Sequence, residues 1–365
     1  MSKYKIAYIP GDGTGPELMD EGLKILKTTQ ETTPGINLEF LECDAGAETY
    51  LKTGSSMPEE AWLTCKESDS IYKAPVGLPG VTKPDGTEAI VDVILGLRFK
   101  LDLYVNLRPA KLYPGVRCPL AGKKTGDIDY FVVRENTEGL YAQHGGIMRD
   151  EVATNIRVIT RKGCERIVRY AFDYARKIGC APSDRKKRVT CVDKSNVLVS
   201  DVFFRNVYND VAKNYGDVEK DYAYVDAFTQ WQVLRPENFH VVVIENMFGD
   251  IVSDLAAATV GSLGLAPGAN IGDRYAVFEP VHGSAPKYKG QRVANPIATI
   301  LAGKMMMQWL GEKHSDAAAL KASQKIEKAV EAVLAEGKVL THDLGGRSKT
   351  NEVGDEIARK IKEIS

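Results

Sequence analysis

The run Val241-Val242-Val243-Ile244, followed almost at once by Asn246-Met247-Phe248-Gly249-Asp250-Ile251-Val252-Ser253-Asp254, constrains this chain more than any other stretch. A β-branched run of that length reads as a buried strand. A helix starting near Gly249 then places Asp250 and Asp254 one turn apart on one face. Two carboxylates aimed at one point repel unless a cation lies between them, and a hard divalent ion such as Mg²⁺ or Mn²⁺ suits oxygen ligands. A bare D-x-x-x-D is also the pattern of a solvated acidic helix face, so the company of the pair decides its meaning.

The remaining elements support an α/β protein. Lys5 to Ile9 reads as a strand, Gly11 to Glu17 as a glycine-rich loop, and Pro16 opens a helix with apolar residues at Leu18, Met19, Leu23 and Leu26. Further strands are predicted at Leu38–Phe40, Leu103–Asn106, Asp129–Val133, Val189–Val192 and His240–Ile244. Helical periodicity marks Glu165–Lys177, Ile297–Leu310, Ala317–Glu336 and Glu352–Ile364, with Met305, Met306 and Met307 read as core filling. With 365 residues and 44% hydrophobic content, the chain is long enough for two domains, each with its own core. A net charge of −1 gives no reason to expect nucleic acid or an anionic membrane as partner. No apolar run approaches the roughly 20 residues that span a bilayer. The opening residues lead into a strand without a signal-peptide core, and the six cysteines form no C-x-x-C pair, so a reducing cytoplasm is the expected compartment.

Several segments carry candidate chemistry. Gly11-Asp12-Gly13-Thr14-Gly15 is G-x-G-x-G followed by proline, a poor match to a dinucleotide fingerprint and a better one to a tight turn with positive φ angles. Arg98, Arg108 and Arg134 each lie near the end of an apolar segment, where ligands meet α/β sheets, and three guanidinium forks suit a di- or tricarboxylic acid. Tyr141 follows Arg134 by seven residues. Lys194, in Asp193-Lys194-Ser195-Asn196 after an apolar strand, is a candidate proton acceptor. Glu279-Pro280-Val281-His282-Gly283-Ser284-Ala285-Pro286-Lys287-Tyr288 is a loop of small residues whose backbone can approach a flat ring and phosphates.

In order and spacing these segments resemble the β-decarboxylating dehydrogenases: isocitrate, 3-isopropylmalate, homoisocitrate and tartrate/D-malate dehydrogenases. The resemblance covers nearly the whole chain. It rests on Ile9 to Glu17, Leu107-Arg108-Pro109, Arg134 to Gly139, Asp193 to Asn196, Asn246 to Asp254 and Glu279 to Pro286. It implies a two-domain, non-Rossmann α/β fold with a dimerisation arm: residues 1–107 and 258–365 would form a large cofactor-binding domain, and 108–257 a small domain with the dimer interface. It implies that Arg98, Arg108 and Arg134 grip the carboxylates of a malate core, with Lys73, Asn196 and Ile94 also at the substrate. Asp226 would join Asp250 and Asp254 around Mg²⁺ or Mn²⁺, and Lys194 and Asp226 would reach the site from the neighbouring subunit of an obligate homodimer. Tyr141 and Lys194 would be the acid–base pair, Lys194 taking the 2-hydroxyl proton as hydride leaves C2, and Tyr141 protonating C3 after CO₂ departs. His282, Gly283, Ser284, Ala285, Lys287, Tyr288 and Asn295 would hold the adenosine half of the cofactor.

Two choices within the resemblance are left to the pocket loops. Lys287, followed by Tyr288, stands where NAD-using relatives carry an acid, which favours NADP. The tail from Thr341 to Gly346 looks like the NAD branch, with Arg347 and Lys349 as candidate replacements for the missing NADP contacts. Isocitrate enzymes place Ser and Asn ahead of the first arginine. Here Asp92 and Ile94 take those positions, and Ile94 with Leu95 resembles the apolar wall of isopropylmalate enzymes, although Lys73 matches an isocitrate-type lysine. The expected substrate is therefore a 3-alkylmalate such as 3-isopropylmalate, ahead of isocitrate or homoisocitrate. A non-catalytic regulatory subunit is the alternative of another class, and the presence of Tyr141, Lys194, Asp226, Asp250 and Asp254 argues against it.

Overall fold

The computed structural model describes residues 2–364. The chain divides into two compact units, one comprising residues up to 101, 113–117 and those from 261 onward, the other 102–112 and 118–260. The breaks thus fall at 101/102 and 260/261 instead of 107/108 and 257/258, and residues 113–117 return to the first unit. Sequence periodicity has no means of marking such a return, because it reports burial and not which core does the burying.

In the first unit the strands run in the order Ile36–Glu42, Ser2–Ile9, Ser70–Lys73, Ala276–Pro280, Pro267–Ile271. Neighbours are parallel except the last pair, Pro267–Ile271 against Ala276–Pro280, which forms an antiparallel hairpin. The helix Gly15–Glu31 begins with Pro16 in its first turn and buries Leu18, Met19, Ile25 and Leu26. Helix Ala317–Glu336 starts where Asp316 accepts hydrogen bonds from Ala318 and Ala319 and ends at Gly337, whose φ of +64° no β-carbon obstructs. Met306 and Met307 are buried core residues of Ile297–His314.

The glycine loop is a structural knot. Gly11 has φ +76°, and a β-carbon there would stand 2.1 Å from the Pro75 carbonyl oxygen. The buried Asp12 carboxylate accepts the backbone N–H groups of Ala47 (2.8 Å), Glu48 (2.8 Å) and Gly77 (2.6 Å). Thr14 donates both its backbone N–H and its hydroxyl to the Ser284 carbonyl. The loop therefore organises three other segments through its own polar groups.

In the second unit the order is Val105–Lys111, Asp129–Glu135, Val241–Ile244, Arg188–Asp193, Glu219–Tyr224. The first pair is antiparallel and the rest parallel. Ile244 lies opposite both Arg134 and Val192, and Arg134 lies opposite Asn106. The carboxyl ends of three parallel strands thus deliver Arg134, Glu245 and Asp193-Lys194 to one edge of the sheet, where α/β proteins bind ligands. Val241 to Ile244 is fully buried, as its composition requires. A separate antiparallel hairpin, Gly145–Met148 with Val152–Asn155, is exposed along both strands.

The strand expected at Leu103–Asn106 runs instead over Val105–Lys111, through Pro109. The strands Ser70–Lys73, Glu219–Tyr224, Pro267–Ile271 and Ala276–Pro280 escape the pattern reading because they are short, charged, or contain Pro and Gly. Among the described residues no helix is long and apolar enough to cross a membrane.

Candidate active site

In the second unit the helix Asn246–Thr259 begins three residues earlier than Gly249 because Glu245 caps it, its carboxylate accepting from Phe248 (2.7 Å) and Met247 (3.2 Å). Asp250 and Asp254 lie one turn apart on it. Asp250 receives the fully buried Arg134 guanidinium, Arg108 at 3.4 Å and the Tyr141 hydroxyl, which donates to Oδ2 at 2.8 Å. Asp254 Oδ1 lies 3.3 Å from Arg108 Nη1, and Arg108 also donates to Ser253 (2.7 Å) and Asn106 (2.8 Å). Arg134 is further fixed by Asn246 Oδ1, at 3.1 Å and 2.7 Å, and lies with its guanidinium carbon 5.3 Å from the Tyr141 ring centre.

Gly249 is required by this packing. A β-carbon there would meet Arg134 Cγ at 2.6 Å and Cβ at 2.9 Å, the base of a side chain with no room to swing. Burial raises the Asp254 carboxyl, Arg108 opposes that, and the Asp250 charge adds to it. Both acids remain open to solvent, with side-chain exposures of 36% and 58%. Two hard oxygen donors one helical turn apart, both open to solvent, fit a divalent cation.

Lys194 Nζ pairs with Asp226 Oδ1 at 2.9 Å, and that hydrogen bond lowers the Asp226 carboxyl. Asn196 is exposed on the same turn. Within one chain Asp226 thus stands with Lys194, and the described residues contain no group of three His, Cys, Asp or Glu side chains arranged to hold a metal.

In the first unit Lys73 and Arg98 are buried against Glu279, at 2.5 Å and 3.9 Å, and Asn270 donates to the same carboxylate at 2.7 Å. Burial works to raise Glu279, but Lys73 and Arg98 outweigh it and hold the carboxyl at about 2. The Lys73 ammonium is therefore engaged by an acid of its own unit. Ile94 lies one turn ahead of Arg98 on helix Val91–Lys100 and is half-buried, as is Leu95. Asp92 is exposed and paired with Lys83 at 2.7 Å.

The loop after strand Ala276–Pro280 holds His282, lowered by burial, with its Nδ1 3.0 Å from the Gly283 carbonyl oxygen. Gly283 is exposed, Ser284 donates to the Gly77 carbonyl, and Ala285 adopts φ +41°. The exposed Lys287 lies 4.7 Å over the Tyr288 ring, which in turn meets His342 edge-on at 6.3 Å. An exposed cation beside two rings fits a phosphorylated, ring-bearing ligand. Asn295 donates to Asp343 (3.0 Å) and accepts from Ile297 (3.0 Å).

Sequence reading gives no role to Glu279, Glu245 or Asn246, although Glu279 and Asn246 lie in segments that carry the resemblance. Glu245 caps the helix although glutamate is not among the preferred N-cap residues, so the sequence carries no usual capping signal there. Nothing local marks Glu279, whose partners are Lys73 and Arg98, about two hundred residues earlier.

Comparison with known proteins places these residues in company. A family model described as isocitrate/isopropylmalate dehydrogenase matches residues 5–357. The chain is 43% identical to a 3-isopropylmalate/3-methylmalate dehydrogenase of Methanocaldococcus jannaschii, over 99% of both chains. It is 41% identical to a decarboxylating D-malate dehydrogenase of Escherichia coli, again over 99% of both. Among solved structures, an isocitrate dehydrogenase from Methylococcus capsulatus superposes with a TM-score of 0.85 at 37% identity, covering 98% of this chain and 99% of the other.

Proposed function

Because the chain belongs to the isocitrate/isopropylmalate dehydrogenase family, a family of oxidoreductases, we propose that it oxidatively decarboxylates a 3-alkylmalate such as 3-isopropylmalate. The observation that carries this reading is the cluster on helix Asn246–Thr259, where Arg108, Arg134 and Tyr141 converge on Asp250 beside Asp254. Asp250 and Asp254 would hold Mg²⁺ or Mn²⁺, with Asp226 contributed by a second subunit. When bound, the ion supplies Lewis acidity toward the 2-hydroxyl and the nicotinamide accepts the hydride.

The chain's own groups do the rest. Arg108 and Arg134, whose guanidinium groups stand at Asp250, would bind the carboxylates of the malate core. Lys194, reaching the site with Asp226 from the second subunit, takes the hydroxyl proton at Nζ. Tyr141 keeps a proton on its phenol oxygen, 2.8 Å from Asp250, and delivers it to C3 after CO₂ leaves.

Substrate choice follows from the helix Val91–Lys100. Ile94 and Leu95 offer an apolar surface one turn from Arg98, and Lys83 takes up the Asp92 charge, which suits an alkyl group better than a third carboxylate. A relative named D-malate dehydrogenase at 41% identity makes unsubstituted malate the second reading. Lys287 beside Tyr288 favours NADP over NAD. The exposed hairpin, with Ile147 and Met148 at 72% and 56% exposure, would serve as the arm of a homodimer.

The test is a panel following reduced-cofactor absorbance, with 3-isopropylmalate, 3-methylmalate, D-malate, isocitrate and homoisocitrate, each with NAD and NADP and with Mg²⁺ or Mn²⁺. EDTA-sensitive reduction coupled to CO₂ release, fastest on a 3-alkylmalate, is expected. Isocitrate as the best substrate would overturn the pocket reading, and no turnover on any of them would overturn the reaction.

A further inference from the structure

Arg157 in the second unit takes no part in the clusters described above. Its guanidinium, on a side chain only 11% exposed, lies between two acids with almost no exposure, Asp201 and Glu245. Nη2 donates to Asp201 Oδ1, Nη1 lies 3.4 Å from Oδ2, and Nη2 lies 3.6 Å from Glu245 Oε2. The guanidinium carbon also sits 5.1 Å from the centre of the Phe248 ring.

Both acids hold backbone that matters. Asp201 Oδ2 accepts the backbone N–H of Lys194 at 2.8 Å. Glu245 accepts from Met247 and Phe248 and so fixes the first turn of the helix that carries Asp250 and Asp254. Burial raises both acids, and on each the leading opposing influence is Arg157. One cation thus opposes the effect of burial on two carboxylates that each hold backbone N–H groups.

A neighbouring pair separates the two ends of this bridge. Arg205 donates to Asp193 at 2.7 Å and 2.9 Å, and Asp193 accepts the Ser195 N–H at 2.8 Å. That pair holds the Lys194 turn as well, but its contacts reach no part of the Glu245 cap. Arg157 reaches both.

We propose that Arg157 is a positioning residue that ties the Lys194 turn to the N-terminus of helix Asn246–Thr259, so that the proton acceptor and the acid pair are set by one side chain. The inference rests on the reaction proposed above for those residues. Its test is arranged so that the two can fail separately.

The full-length Arg157→Lys and Arg157→Gln proteins are compared with the parent and with Arg205→Lys by amide hydrogen exchange and by steady-state kinetics. In Arg157→Lys, which keeps the charge but loses the fork, exchange at Lys194, Met247 and Phe248 should all accelerate, by about tenfold. In Arg205→Lys, acceleration at Ser195 with Met247 and Phe248 unchanged is expected. With the best substrate of the panel, Arg157→Gln should lose about 100-fold in kcat, the usual scale for a misplaced catalytic group. Its KM should change little, and added guanidinium ion should return part of the rate.

Unchanged exchange at either end of the bridge in Arg157→Lys overturns the proposal. So does a folded Arg157→Gln with parental kcat, or a loss confined to KM. If Arg157→Gln does not fold, the exchange pattern and kcat of Arg157→Lys decide. A parent inactive on every substrate would sink the reaction and leave the exchange result to stand by itself.

Discussion

Replacing Lys73 by methionine removes the main counter-charge of Glu279 while keeping the volume of an unbranched side chain. The carboxyl of Glu279 is held at about 2 against the usual 4.5, although burial alone would raise it. A fall of about 2.5, at about 1.36 kcal/mol for each pH unit, corresponds to roughly 3 kcal/mol of stability contributed by the ionised group. The Glu279 side chain is only 15% exposed, so solvent screening takes little from that figure. Arg98 at 3.9 Å and Asn270 at 2.7 Å remain in the variant and retain part of it. Lys73→Met should therefore cost about 2–4 kcal/mol at pH 7, close to the range for breaking a buried ion pair from one side.

The pH dependence identifies the cause. A carboxyl whose folded pKa is depressed contributes fully above its unfolded value and loses that contribution as pH falls toward the folded one. For Glu279 the window runs from 4.5 down to about 2. Without Lys73 the carboxyl moves up and protonates earlier, so the gap between parent and variant is widest at neutral pH and narrows below about 4.5. Urea unfolding at a fixed protein concentration between pH 3.5 and 8 measures it, and Lys73→Met with Glu279→Gln should recover part of the loss, since both charges then leave together. A gap that stays constant with pH, or a double variant as unstable as the two losses combined, would refute the electrostatic reasoning.

Gly249→Ala should force Arg134 out of place, costing about 1–3 kcal/mol by overpacking and raising the substrate KM about tenfold, read by thermal melting and initial rates. Asp12→Ala strands one buried and two partly buried N–H groups, so it should lose about 2–4 kcal/mol, with accelerated exchange at Ala47, Glu48 and Gly77. If Lys194 serves a partner's site, inactive Lys194→Met and Asp250→Asn proteins unfolded and refolded together should regain about a quarter of parental turnover. Half of the random dimers would then be hybrids with one intact site each. No recovery from a mixture shown to contain hybrid dimers would place both residues in one chain's site.

What could be read from the sequence divides along physical lines. The Val241 strand and the one-turn spacing of Asp250 and Asp254 are local properties, set by β-branching and by the helical repeat. They were legible. The same holds for the long C-terminal helices, where Ala317–Glu336 has the bounds its composition implies. Glu279 was not legible as a partner, because pairing with Lys73 and Arg98 depends on which strands become neighbours. Glu219–Tyr224 was missed for the opposite reason, since an edge strand of its unit with exposed Glu219 and Lys220 carries no apolar alternation to detect.

Register is the step that converts legible pieces into a site, and it is fixed away from the chemistry. Val241 to Ile244 offers four similar side chains, so nothing in the run itself prevents a slip. A slip of one residue would turn every side chain to the other face, and a slip of two would displace Arg134 or Lys194 by about 6.6 Å along the sheet. Polar groups at the amino end prevent both. The backbone N–H of Arg188 lies 3.1 Å from His240 Nδ1, the Phe131 N–H donates to the His240 carbonyl, and the Arg188 guanidinium reaches Asp184, Glu219 and the Asn238 carbonyl. A buried His240, whose Nδ1 faces the Arg188 backbone, and a buried Arg188 fit one alignment of the three strands. They hold the carboxyl ends, about 13 Å away at 3.3 Å per residue, in the register that brings Arg134 level with Ile244 and Val192.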